Sequence, residues 1–360
     1  MKKLNVAILG ATGAVGQRFI QLLDNHPWFQ VTELVGKSSA GKRYGDAVNW
    51  VLDGNPPANI LDIVIKPLDA DLDSLLVFSA LPKGAAVERE PQLAAAGHVV
   101  CTNASAHRMA EDVPLLLPES NHEHVALIDV QRQNRGWTTG ALIANSNCTT
   151  MPIVMALTPL RQFNISKMLF VSEQAISGAG YPGVASLDII DNIIPYVSGD
   201  EDKMETETLK MLGTLAGNRI ENYESVASAT ATRVPVIDGH LINISISMES
   251  QPDIHEILQA WETYQTPPEV AILPSAPERP VQYLAQIDRP QPRRDRMAGN
   301  GMMTSIGRLR QCPVLGYKFA AMAHNTIRGA AGCSVLNAEL LAVKGYLENF
   351  QPQIVQNALP

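Results

Sequence analysis

Cysteine is scarce and scattered in this 360-residue chain. Cys101, Cys148, Cys312 and Cys333 form no C-x-x-C pair, which speaks against a disulfide framework or a zinc knuckle and for a reduced, cytoplasmic protein. No stretch approaches about 18 consecutive apolar residues, so no membrane-spanning helix and no membrane partner are expected. Basic residues are few as well: 28 Lys+Arg against 36 Asp+Glu leave a net charge of −8. With pI near 5.5, the footprint of a nucleic-acid binder is missing. Arg289, Arg293, Arg294 and Arg296 do cluster, but without interleaved aromatics they read as a solvated loop or a subunit contact. The opening Met1-Lys2-Lys3 and Leu4 to Leu9 is too short and too interrupted for a signal peptide, since Asn5 and Gly10 break the apolar run. Internal repeats and low-complexity tracts are also lacking.

What is present suits a folded two-domain protein. Hydrophobic residues make up 46% and charged residues 18%, and at roughly 100–200 residues per domain the length allows about two cores. Leu4 to Leu9, Val31 to Val35, Leu75 to Phe78 and Val99 to Cys101 are short apolar runs, and Ala85 to Ala96 reads as a helix between two of them. This alternation predicts an α/β fold, with an N-terminal Rossmann-like dinucleotide-binding domain on a parallel sheet. The pattern then changes. Ile242, Ile244, Ile246 and Met248 alternate with Asn243, Ser245, Ser247 and Glu249, the period of a strand with one wet face. An α+β domain with a largely antiparallel sheet is therefore expected from residue 148 to 329, after a first domain over 1–147. The proline-dense stretch 266–296 is expected to be extended loop. A closing helix over 330–350 is expected to return to the first domain.

Gly10-x-x-Gly13-x-x-Gly16 follows the first apolar run and precedes Val15, Phe19, Leu22 and Leu23 at helical spacing. Such glycines let the backbone approach a pyrophosphate at a helix N-terminus. Gly10, Thr12, Gly13, Ala14 and Val15 are the expected cofactor contacts there, with Ser79, Ala80 and Leu81 after the third run. Where an NAD site would carry Asp or Glu after the second strand, the sequence reads Gly36-Lys37-Ser38-Ser39-Ala40-Gly41-Lys42. The hydroxyls of Ser38 and Ser39 and the ammonium of Lys42 suit a 2′-phosphate, which favours NADP; a basic surface turn is the alternative.

Cys148 in Asn147-Cys148-Thr149-Thr150-Met151-Pro152 lies at an expected helix start, where the dipole would favour the thiolate. It is a candidate nucleophile, or an inert packing cysteine. Arg233 can grip a carboxylate and His240 can exchange protons, but the first also reads as a structural ion pair and the second, in phase with Ile242, as a core histidine. Glu207 and Lys210, three apart on a helix striped by Met204, Thr208, Met211 and Leu215, are either a surface pair or holders of an ammonium and a phosphate. His122-x-His124 has no third ligand at a recognisable spacing, so no metal is expected.

Together these segments resemble the aspartate-β-semialdehyde dehydrogenase family, in its archaeal and fungal branch. The resemblance runs through Gly10 to Gly16, Ser39 to Lys42, Asn103 to Ser105, Ser146 to Thr150, Gln174 to Gly180, Arg233 to Val236 with Gly239-His240, and Asn325 to Gly332. It departs at Ser38, where the branch commonly has arginine; Lys37 stands one place earlier. It implies Cys148 as nucleophile, Gln174 as an orienting residue and His240 as acid/base. It further implies Arg233 on the substrate carboxylate, Glu207 on its amino group, and Asn103, Arg108 and Lys210 near inorganic phosphate. Ser177, Gly178, Asn325 and Thr326 would line the nicotinamide nucleotide. The implied reaction is NADP-dependent phosphorylating oxidation of L-aspartate 4-semialdehyde through a cysteine thioester, or its reverse, in a homodimer or homotetramer. A malonyl-CoA reductase on the same scaffold is the alternative.

Overall fold

Short apolar runs separated by helices build a six-stranded sheet, β1 (Leu4–Leu9), β2 (Phe29–Val35), β3 (Leu76–Ser79), β4 (Val99–Thr102), β5 (Leu115–Leu116) and β6 (Ala141–Asn145). The computed structural model describes residues 3–353. Met1 and Lys2, the start of the segment weighed as a leader, lie outside the described residues. The strand order is β2-β1-β3-β4-β6-β5 and every pairing is parallel, so the order reverses between β1 and β3. Ligands of open α/β sheets bind at such a reversal, outside the carboxyl ends of the strands. Gly10 and Ala80 leave β1 and β3 at that point. Helix α1 (Ala14–Leu23) buries Phe19, Ile20 and Leu23 against one face, and α2 (Lys83–Ala95) follows β3.

The helix after β6, α3 (Thr150–Leu157), is buried at all eight residues, because it lies between this sheet and a second one. The second sheet contains β7 (Ile165–Gln174), β10 (Val226–Arg233), β11 (His240–Met248), β12 (Val281–Leu284), β13 (Thr304–Cys312) and β14 (Gly316–Ala323). The small strands β8 (Thr214–Ala216) and β9 (Arg219–Glu221) pair only with each other. In the order β10-β7-β11-β14-β13-β12 the three inner pairings are antiparallel and the two outer ones parallel, so the sheet is mixed. Burial alternates along β11 as its period of two requires.

Three boundaries differ from expectation. The stretch 266–296 is not all loop, since Val281–Leu284 pairs with β13 and sets the sheet edge. Helix α4 (Asp200–Leu212) stops at Gly213, so Leu215, counted in its apolar stripe, lies in β8. The closing helix α5 is Gly332–Val343, and Gly345 at φ +79° ends it well short of residue 350. Val335, Leu336 and Leu340 of α5 share a core with Val6, Ile8 and Phe78, which returns the chain to the first sheet.

Candidate active site

The glycine turn is shaped by close approach. A Cβ on Gly10, at φ +73°, would lie 2.7 Å from the Ala80 carbonyl oxygen, and one on Gly16 would run into the Gly10 carbonyl. Backbone from both strand ends is thereby brought to one spot. Gly13 precedes α1 without any side-chain cap, leaving the first N–H groups of a ten-residue helix for an anion. Past β2, Ser39 is buried with no hydrogen-bond partner for its hydroxyl, and Lys37, Ser38 and Lys42 are exposed beside it. The nearby carboxylate, Glu33, is taken by Lys66 at 2.6 Å and by Ser74. These residues fit a dinucleotide carrying a 2′-phosphate.

At the start of α3, Cys148 Sγ lies 3.2 Å from His240 Nε2. The other ring nitrogen, Nδ1, accepts the Ala175 backbone N–H at 3.0 Å. A neutral imidazole so held carries its proton on Nε2, pointing at the sulfur. The thiol in turn reaches Asn147 Oδ1 at 3.3 Å. Burial, reinforced by the Arg233 charge, lowers His240 to about 3. Burial, with Asp200 adding to it, pushes the Cys148 thiol up to about 11. The resting pair is therefore neutral, which corrects the expectation of a thiolate favoured by the helix start. Asn147 is the reason: its carbonyl takes the N–H groups of Thr150 and Met151, and its Oδ1 takes that of Thr149. The first N–H groups at the helix start are thus taken by Asn147.

Around this pair the expected residues converge. Gln174, at the end of β7, donates to Asp200 Oδ2 at 2.8 Å and to Ser172. Arg233, at the end of β10 and buried, donates to the Ala175 carbonyl at 2.7 Å. No carboxylate lies within ion-pair distance of Arg233 among the described residues. Gly178 fits between the Arg233 and His240 side chains, since a Cβ there would stand 2.8 Å from Arg233 Nη1 and 3.0 Å from His240 Cε1. Asn325 ties Ser177 Oγ, at 2.7 Å, to the Gly239 N–H, at 2.8 Å, and so joins the Ser177–Gly178 loop to the turn before His240. Thr326 accepts Arg18 Nε at 3.3 Å. A Cβ on Gly329 would meet that of Cys148 at 2.7 Å.

Glu207 and Lys210 are not a surface pair; both are buried and they do not touch as a pair. Glu207 Oε1 accepts Arg108 Nη1 at 2.9 Å and Oε2 accepts the Asn147 N–H at 2.7 Å, so the carboxylate expected to face a substrate amine already has two partners. Lys210 donates to the carbonyls of Arg108, Ala110 and Val113 at 2.8, 2.8 and 2.9 Å. All three ammonium protons are thus used, and Lys210 holds the 108–113 loop where phosphate contact was expected. Burial lowers it to about 8. Arg108 Nη2 donates to the Asn103 carbonyl at 2.7 Å, while its buried Nε has no partner. Asp200 and Asn147 are functional neighbours that sequence reasoning missed as such. Asn147 stood inside a motif already singled out, whereas Asp200 carried no signal beyond an acidic first helical turn.

Models of two domains match the chain: the semialdehyde dehydrogenase NAD binding domain over residues 5–128, and the semialdehyde dehydrogenase dimerisation domain over residues 157–328. The chain belongs to the semialdehyde dehydrogenase family. It is 48% identical to an aspartate-semialdehyde dehydrogenase of Archaeoglobus fulgidus, over 94% of this chain and 98% of that protein. It is also 40% identical to a malonyl CoA reductase (NADP) of Metallosphaera sedula, over 96% and 99% respectively. The crystal structure of aspartate semialdehyde dehydrogenase with NADP from Candida albicans superposes with a TM-score of 0.87 at 38% identity, covering 96% of this chain and all of that one. As a semialdehyde dehydrogenase the chain is an oxidoreductase, with the family's nucleotide-binding domain first and its dimerisation domain second. No helix among the described residues is long and apolar enough to cross a membrane.

Proposed function

We propose that this semialdehyde dehydrogenase interconverts L-aspartate 4-semialdehyde and L-aspartyl 4-phosphate with NADP, as a cytoplasmic homodimer or homotetramer. Residues 1–147, rejoined by 330–350, bind the nucleotide, and 148–329 carry catalysis and dimerisation. The observation that carries the reading is Arg233, a buried guanidinium with no carboxylate of its own, set on the same glycine as the His240 ring that faces Cys148. A cation so buried calls for an anionic partner, and a substrate carboxylate supplies one.

The chemistry follows from these side chains. In the oxidative direction the Cys148 thiol gives its proton to solvent as its sulfur bonds to the aldehyde carbon, and the carbonyl oxygen takes up charge beside His240 Nε2–H. This donor role differs from the acid/base role first expected of His240, because Nδ1 is already an acceptor for Ala175. NADP, held by the Gly10–Val15 turn, Ser38, Ser39, Lys42, Ser79–Leu81, Ser177, Asn325 and Thr326, would supply hydride acceptance at that carbon. Gln174, fixed by Asp200, orients the acyl centre. An oxygen of phosphate, near Asn103 and Arg108, then bonds to the thioester carbon as the C–S bond breaks, releasing the acyl phosphate and the Cys148 thiolate. Glu207 holds Arg108 and the Asn147 backbone in place for both steps.

A thiol in place of phosphate would use the same Cys148 and His240, as in a malonyl-CoA reductase. Purified enzyme should oxidise NADPH with aspartyl phosphate and much more slowly with malonyl-CoA, and Cys148→Ala should lose turnover while still binding NADPH. Efficient malonyl-CoA reduction with no phosphate requirement in the aldehyde direction would assign the chain to that activity.

A further inference from the structure

Arg296 belongs to the basic cluster expected to be solvated, yet it behaves unlike its neighbours. Arg293 and Arg294 are exposed, whereas Arg296 is half-buried and donates to the Asp238 carbonyl at 3.2 Å. Its segment is fixed: Asp295 is held by Arg289 Nε at 2.7 Å and by the Gln291 N–H at 2.6 Å. Gly239, at φ +100°, packs closely on this segment, since a Cβ there would lie 3.0 Å from Pro292 Cβ and 3.3 Å from Arg296 Cβ. The guanidinium is thereby pressed over the turn that leads to His240.

Arg296 lines a cavity of about 310 Å³ together with Ala14, Arg18, Ser177, Asp238 and Thr326. Ala14 is the first residue of α1, directly after the glycine turn. Arg18, one turn further along α1, is half-buried and reaches Thr326 and Gln21 but no carboxylate. Asp53 and Asp238 line the same cavity, yet neither arginine has a carboxylate within 4.0 Å among the described residues. Burial lowers the Arg18 guanidinium, as it does for a cation whose nearest counter-charges act only from a distance. Two arginines on different domains, without ion-pair partners among the described residues, thus line one cavity with the first residue of an uncapped helix.

We propose that Arg18 and Arg296 grip the pyrophosphate of the bound dinucleotide from two sides, so that the second domain takes part in holding the cofactor. This rests on the reading of the glycine turn as a dinucleotide site. Guanidinium forks match phosphate oxygens bidentately, and the α1 N–H groups would hold the remaining oxygens.

The test uses the full chain and measures binding directly. NADPH fluorescence titration should show Arg296→Ala weakened about tenfold or more, with Arg296→Lys in between, since one charge–phosphate contact is worth roughly that factor. The affinity of Arg296→Ala should also fall less steeply with added NaCl than that of the unaltered protein. Calorimetry with adenosine 2′-monophosphate, which has neither phosphate of the pyrophosphate, should give the same affinity for both. Unchanged NADPH affinity in Arg296→Ala, or an equal loss for NADPH and adenosine 2′-monophosphate, would overturn the proposal. If the alanine variant does not fold, Arg296→Gln is read by the same criteria. Should the unaltered protein bind NADH and not NADPH, the NADP reading fails separately, and the arginine test is run with NADH, which has the same pyrophosphate.

Discussion

Glu207 Oε2 accepts the backbone N–H of Asn147 at 2.7 Å, one residue before the Cys148 nucleophile, while Oε1 binds Arg108 at 2.9 Å. One buried carboxylate therefore sets both the cysteine backbone and the guanidinium expected at phosphate. Glu207→Gln removes the charge opposite Arg108 and leaves that cation uncompensated. The expected cost is about 3 kcal/mol of stability, together with a fall in kcat. Chemical denaturation and steady-state kinetics check this. A rise in KM alone, with stability unchanged, would return Glu207 to the simpler role of amine binder.

Gly178→Ala should lower kcat/KM by about 100-fold while leaving the fold intact. The added Cβ would stand 2.8 Å from Arg233 Nη1 and 3.1 Å from His240 Nε2, so one or both must shift, and displacements near 1 Å at a reacting centre cost about that factor. Circular dichroism and kinetics on the purified variant decide it.

The pH dependence has a defined sign on each side. His240 is lowered to about 3, and His124 and His324 to about 4, all chiefly by burial. Each is neutral when folded and takes a proton more readily when unfolded. Their contribution to stability is present above roughly pH 6.5 and is lost as pH falls toward 3–4. Denaturation midpoints measured from pH 7 down to pH 4 should decline progressively. The Cys148 thiol, raised to about 11, acts in the opposite sense and destabilises the folded state above roughly pH 9. Alkylation of Cys148 by iodoacetamide should accelerate with pH through 8–10, with no plateau near neutrality.

Glu119 and Arg328 form an ion pair at 2.7 Å, with both side chains 0% exposed. Arg328 lies in the turn that brings Gly329 against Cys148. Arg328→Met should cost about 3–5 kcal/mol by leaving the Glu119 charge unpaired, and adding Glu119→Leu should recover much of it. A double-mutant cycle in urea measures the coupling.

Much of this protein is decided by local pattern. The glycine turn after β1, the period of two in β11 and the start of α3 beside Cys148 follow from backbone and burial rules that act over a few residues. Cys148, His240 and Arg233 stand out by residue type and Gly178 through the family resemblance, and the ends of α3, β11, β10 and β7 bring them to one place. What the residues do there depends on partners far away in sequence. Ala175 fixes the proton of His240. Three carbonyls of residues 108–113 occupy Lys210. Hydrogen-bond geometry and desolvation set these roles, and both arise only when segments some tens to a hundred residues apart are packed together. Sequence spacing can thus nominate a nucleophile and its neighbours, but their protonation states are properties of the folded interior.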